Sequence, residues 1–176
     1  QNSAIGRFNV LMQFAGFSGA PTEIECFSSN RAITRREHTV MIDFGAASAK
    51  MYMSHNGVLT RMHRGNVGGA QVTEALAEDV EIDFAEAEVL KQSVTPKDEK
   101  YLAVQQAYAK VYSRPLREFR QVLDRYQSDY EIEFPFLSVC GGASLFIGFE
   151  NIIKDKLDIS VEYIDPFKNV AYPAFM

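Results

Sequence analysis

Residues 39–62 read Thr39-Val40-Met41-Ile42-Asp43-Phe44-Gly45-Ala46-Ala47-Ser48-Ala49-Lys50-Met51-Tyr52-Met53-Ser54-His55-Asn56-Gly57-Val58-Leu59-Thr60-Arg61-Met62. Three short runs rich in apolar residues, Thr39–Asp43, Lys50–Met53 and Val58–Met62, are separated by turn residues. Gly45 ends the first run, and Asn56-Gly57 lies between the second and third, where both residues tolerate positive φ. The spacing predicts three antiparallel strands between Thr39 and Arg64.

Helical patterns surround this block. Ile5, Phe8, Leu11, Met12 and Ala15 recur at helical spacing, with Gly16 placed to end the turn. Ser18-Gly19-Ala20-Pro21 reads as a loop, and Glu23–Asn30 is open between a short strand and a helix start. Beyond the strands, Gly65, Gly68 and Gly69 break the chain before a short helix over Gln71–Glu78. Asp83 with Glu86 three residues on is a capping-box pair, opening a helix that reaches Gln92. From Glu99 to Gln127 apolar residues keep a spacing near 3.6, so one long helix, or two in line, is expected, with Pro115 kinking it or starting the second. A strand (Phe136–Cys140), a glycine turn, a helix (Phe146–Lys156) and a strand (Ser160–Ile164) complete an α/β order.

Composition narrows the class. The 176 residues are 47% apolar and 23% charged, with 11 Gly and 6 Pro, which excludes collagen-like, disordered and disulfide-scaffold chains. A chain this long buries roughly 70% of its unfolded surface and needs no staples to fold. No run reaches the ~18 apolar residues of a membrane helix. A net charge of −5 argues against a nucleic-acid binder. Cys26 and Cys140 are too few for a metal motif or disulfide framework and fit a reducing cytoplasmic setting. The chain opens Gln1-Asn2-Ser3, without initiator methionine or signal-peptide pattern, and is expected to be a piece of a longer polypeptide.

Three places have the chemistry to hold a ligand. Asp43 leaves a strand end into a turn where Gly45 and its small neighbours let backbone N–H groups approach an anion, and its carboxylate suits a hydrated Mg²⁺. An ordinary Asp-capped β-turn is the other reading. Cys140-Gly141-Gly142-Ala143-Ser144 lies between a strand and a helix, where α/β folds place ligands, or it is a plain glycine-rich connection. Glu88 and Lys91 share a helix face, as a solvated ion pair or as hydroxyl contacts beside a cleft. His38, His55 and His63 lack metal-ligand spacing and are expected at the surface or in loops. Cys140 is expected to be a buried small hydrophobe rather than a nucleophile. Arg114, Arg117, Arg120 and Arg125 are expected to form a solvated face with Glu118 and Asp124.

In order, Val40–Lys50, the hairpin at Asn56-Gly57, Arg61-Met62-His63-Arg64, Gly68–Thr73, Ala85–Lys91, Ser138–Ala143 and Ile164–Lys168 resemble the PilM family of type IV pilus assembly proteins, cytoplasmic relatives of FtsA and actin. The likeness runs from about Phe14 to Lys168. It implies one lobe of an actin-like ATPase (ribonuclease H-like) fold, a mixed sheet flanked by helices. The chain matches the second lobe, with residues 1–17 as the end of a linking helix, a helical subdomain over about 70–130, and the first lobe absent.

The resemblance implies ATP and Mg as ligands. The turn Asp43, Gly45, Ala46, Ser48 corresponds to the second phosphate loop, with Asp43 reaching Mg through water. Gly68 and Gly69 also belong to the nucleotide-binding set; Glu88 and Lys91 fall at ribose or adenine positions, and Gly141, Gly142 and Ala143 at the adenosine turn. It further implies a place at the cytoplasmic face of the inner membrane without insertion, among pilus platform proteins. Docking of the membrane-anchored PilN falls mainly to the absent lobe. Ala70 stands where the family commonly has a polar residue, and Ala49 where it often has threonine. Binding with little or no hydrolysis follows, and weak ATP affinity for this piece alone. The alternatives are a nucleotide-free scaffold of a type II secretion or MSHA-type pilus platform, and an actin-like ATPase or kinase whose catalytic group comes from the other lobe.

Overall fold

A computed structural model describes residues 2–17, 23–33, 37–165 and 167. The loop expected at Ser18–Pro21 lies outside the described residues, as do Pro166 and Lys168.

The three-strand block forms as its turn chemistry dictates. β1 (His38–Phe44) and β2 (Ala49–His55) pair antiparallel across the Gly45 turn, and β3 (Val58–Gly65) follows the Asn56-Gly57 hairpin. Asn56 and Gly57 both take positive φ, 48° and 80°. β4 (Leu137–Cys140) then pairs parallel with β1, and β5 (Val161–Tyr163) parallel with β4. The sheet order is β3-β2-β1-β4-β5, so the two blocks of strands join at β1.

Helices cover both faces of this mixed sheet. α1 (Asn2–Phe14) and α2 (Glu25–Ala32) precede it; Cys26 of α2 packs with Ile33, Met41 and Tyr52 in a small cluster. α2 is the helix left undecided by the sequence. On the main core side lie α3 (Gly69–Val80), α4 (Phe84–Ser93), α5 (Tyr101–Tyr130) and α6 (Phe149–Leu157). Their apolar residues, among them Val72, Leu76, Tyr108, Tyr112, Phe119 and Phe149, close over Val40, Ile42, Phe44, Met51 and Met53. No helix among the described residues is long and apolar enough to cross a membrane.

α5 runs unbroken for 30 residues, about 45 Å at 1.5 Å per residue, with Pro115 inside it. Pro115 lacks the N–H that would reach the Val111 carbonyl, yet the helix neither stops nor restarts there. Tertiary packing holds it: residues 112, 115, 116 and 119 are all buried. Tyr126 is tied by its hydroxyl to Thr60 Oγ1 at 2.7 Å, anchoring α5 to β3. The basic stretch forms the solvated face expected of it, with Arg114–Glu118, Arg120–Asp124 and Arg125–Asp129 pairs one turn apart. Arg120 also donates to the Leu157 carbonyl at 2.5 Å.

The histidines require a correction. All three lie on strands rather than in loops and are half-buried, because the β1–β2 register sets His38 directly opposite His55 and His63 lies edge-on to Phe119 with ring centroids 5.7 Å apart. Cys140 is half-buried rather than fully buried, paired with Asp43 across the β1–β4 ladder. The α6 helix starts three residues later than expected, since a 3-10 turn (Gly142–Leu145) intervenes.

Candidate nucleotide cleft

The parallel β1–β4 pair brings two strand ends together, and the loops leaving them form the site. Such crevices at carboxyl ends of strands are where open α/β sheets place ligands. Asp43 is one residue from the end of β1 and pairs with Cys140, the last residue of β4. The turn after β1 closes with Gly45 N–H donating to the Ser48 carbonyl at 3.1 Å. Gly141 follows β4 with φ 91° and ψ 154°, a region open essentially to glycine alone. A Cβ there would lie 2.4 Å from the Phe44 carbonyl oxygen and 2.5 Å from Asp43 Oδ1. The two loops therefore touch backbone to backbone.

The glycine pair before α3 completes the contact. Gly69 N–H donates to the Gly45 carbonyl at 2.9 Å and Ala70 N–H to the Ala46 carbonyl at 2.8 Å. Gly68 N–H donates to Gln71 Oε1 at 2.8 Å. A Cβ on Gly68 would sit 2.5 Å from the Gly45 and Ala46 carbonyl oxygens. A Cβ on Gly69 would meet Lys91 Nζ at 3.5 Å and Ala143 Cβ at 3.6 Å. Gly45, Gly68, Gly69, Lys91, Gly141 and Ala143, drawn from four separate segments, thus meet at one place. Gly142 by contrast faces open space.

Glu88 and Lys91 are not a solvated pair. The Lys91 side chain is only 9% exposed, and its ammonium donates to Glu88 Oε2 at 2.6 Å, Thr73 Oγ1 at 2.7 Å and the Gly69 carbonyl at 3.0 Å. These three acceptors match its three donors. Glu88 also lies 2.5 Å from Thr73 Oγ1 and accepts from Gln92 Nε2 at 2.7 Å. Burial by itself would raise the Glu88 carboxyl, but the hydrogen bonds from Lys91, Thr73 and Gln92 outweigh it and hold the group below its ordinary value. α4 is thereby pinned to the first turn of α3, and Lys91 acts on the cleft wall by fixing Gly69. Thr73, fully buried, is the residue that the sequence reading missed. Its position four residues after Gly69 on α3 is the signal that would have found it.

Asp43 is half-buried, with no hydrogen bond to its carboxylate from the described residues. Burial raises its pKa, Lys50 pulls it back, and Glu25 pushes it up again. Lys50 is itself held by Glu25 in an ion pair. Ser48 is buried, and Ala49 is fully buried in the core, leaving no hydroxyl at that position. Burial, with Asp43 nearby, pushes the Cys140 thiol up to about 12, which disfavours its thiolate.

These features test the fit of a magnesium–nucleotide. A carboxylate with no hydrogen bond from the described residues, and a backbone cradle with no room for a Cβ at Gly68 and Gly141, suit phosphate and a hydrated cation. The arrangement, a mixed sheet flanked by helices, is that of the actin-like fold class. Two solved structures support the class: ethanolamine utilization protein EutJ from Carboxydothermus hydrogenoformans (TM-score 0.61, 21% identity, 79% of this chain and 47% of that one) and MreB5 of Spiroplasma citri bound to AMPPNP (TM-score 0.63, 14% identity, 89% and 59%).

Within that class, the family profile described as type IV pilus assembly protein PilM matches residues 21–174, and the chain belongs to that family. The PilM–PilN type IV pilus biogenesis complex superposes with TM-score 0.72 at 20% identity, over 92% of this chain and 48% of that one. The chain therefore spans about half the length of the solved structures it resembles. No curated protein sequence matches it.

Proposed function

We propose that this chain forms one wall of a Mg-ATP cleft in a type IV pilus assembly protein, and that the nucleotide acts there as a conformational ligand. The observation that carries the reading is the meeting of Gly45, Gly68, Gly69, Lys91, Gly141 and Ala143 beside Asp43, whose carboxylate takes no hydrogen bond from the described residues. In this reading the Gly45–Ser48 turn lies along the phosphates and Asp43 holds Mg through water. Gly68, Gly69, Gly141, Gly142 and Ala143 present flat backbone to the nucleoside, while Glu88 and Lys91 shape the ribose side. A second lobe closes over the nucleotide, and differential affinity for open and closed states biases partner binding without turnover.

The partners are PilN, the protein complexed with PilM in the solved structure, and other proteins of the inner-membrane platform. PilN docks mainly outside this chain. The location is cytoplasmic and peripheral to the inner membrane.

Calorimetric titration with Mg-ATP, on the polypeptide extended to its relatives' length, tests this reading. Saturable binding that Asp43→Ala abolishes is the expected result. Absence of binding by either protein overturns it. One observation favours the second reading, a nucleotide-free scaffold of a type II secretion or MSHA-type platform. The Gly69 and Ala70 amides and all three Lys91 donors are already taken by protein acceptors, so fewer remain for a ligand.

A further inference from the structure

The end of the sheet away from Asp43 carries a side-chain cluster that the cleft does not use. His38 opens β1 and His55 closes β2. Asn56 N–H donates to the Glu37 carbonyl at 2.7 Å, which makes residues 37 and 56 a hydrogen-bonded pair. His38 and His55 occupy the next position of the ladder, a non-hydrogen-bonded pair, where facing side chains come closest. Their ring centroids are 4.6 Å apart and their Nδ1 atoms 3.4 Å apart. The other two nitrogens face polar groups: His38 Nε2 lies 4.0 Å from Glu37 Oε1, and His55 Nε2 lies 3.3 Å from Asn56 Nδ2.

Two imidazole nitrogens bound to one tetrahedral Zn²⁺ at about 2.0–2.1 Å lie about 3.3 Å from each other. The Nδ1 separation of 3.4 Å is close to that value. Donor atoms of Glu37, His38 and His55 all fall within 4.8 Å of one another, and among the described residues this is the one such group. Glu37 is exposed, so its carboxylate can swing to a third position without repacking. Two imidazoles and a carboxylate match borderline divalent transition metals, whereas Mg²⁺ and Ca²⁺ select oxygen ligands.

We infer that His38, His55 and Glu37 form a binding site for a divalent transition metal of the zinc type, with water completing the coordination. Asn56, its amide turned, accepts from the outer N–H of His55 and holds that ring in place.

Titration of tag-free protein with Zn²⁺ by calorimetry, and with Co²⁺ by visible absorption, tests the site. The expected result is one ion per chain, a chelator-reversible rise in melting temperature, and Co²⁺ bands typical of low coordination number. His38→Ala and His55→Gln should each weaken binding at least a hundredfold, and Glu37→Gln about tenfold, with circular dichroism checking that each variant folds. If His38→Ala fails to fold, His55→Gln carries the comparison. Absence of saturable binding, or binding undiminished in the doubly substituted protein, overturns the site and leaves the ring pair as an N–H···N hydrogen bond.

Discussion

The two ends of β1 are built on opposite plans. At the Asp43 end, backbone meets backbone: Gly141 and Gly68 press against the carbonyls of residues 44–46, closer than any Cβ permits. At the His38 end, the ladder is regular and the side chains converge on each other. The first arrangement exists because atoms are missing, so adding one destroys it. The second is hung on a strand pair that forms without it, so removing it leaves the fold standing. Chemistry at the cleft is therefore bound up with folding, while chemistry at the histidine end is separable from it.

Substitutions can break or sharpen this contrast. Gly141→Ala has the largest expected effect, a loss of about 3 kcal/mol or more in urea unfolding, because backbone strain and a clash with Phe44 add together. Gly142→Ala, one residue on and facing open space, should be nearly silent; equal losses at both positions would refute the close-approach account. Lys91→Met comes next, at about 1.5–3 kcal/mol, since it leaves the Gly69 carbonyl and Glu88 without their charged donor.

The two carboxylates of this end have opposite pH signatures. Glu88 is held below its ordinary value of 4.5, so its contribution is present above that pH and is lost as pH falls through the folded-state value. Glu88→Gln should flatten that acid limb of the stability curve. Asp43 is raised above its ordinary 3.8, so its penalty sets in as pH rises through that value. Asp43→Asn should therefore stabilise the metal-free, nucleotide-free protein at neutral pH and give no gain well below 3.8. His38→Ala should change metal-free stability by less than about 1 kcal/mol, in keeping with a ladder that forms without its side chains.

Local signals were the legible part of the fold. Asn56-Gly57 marks its hairpin, and Asp83 with Glu86 forms the capping box, Glu86 N–H donating to Asp83 Oδ1 at 2.8 Å. α2 was unreadable because it is eight residues long and its N-cap, Ile24, has no side chain to bond the first turn. Pro115 left one long helix or two in line both open because propensity is local, whereas the packing that keeps α5 whole comes from the sheet. The glycines of the cleft were visible as turn residues, but their meeting depends on the parallel β1–β4 pairing, which no spacing encodes. Thr73 and the facing histidines were missed for the same reason. Each acquires its partner from another element, across a register that only the assembled sheet defines.

The bonds from Gly69 and Ala70 to the β1–β2 turn have a mechanical consequence. The first amides of a helix ordinarily lack partners and exchange their protons quickly. Here both are bound to carbonyls of a strand turn, so in deuterated water they should exchange as slowly as the ladder itself. The turn and α3 then behave as one stiff lever, and a push on either arrives at the other without slack.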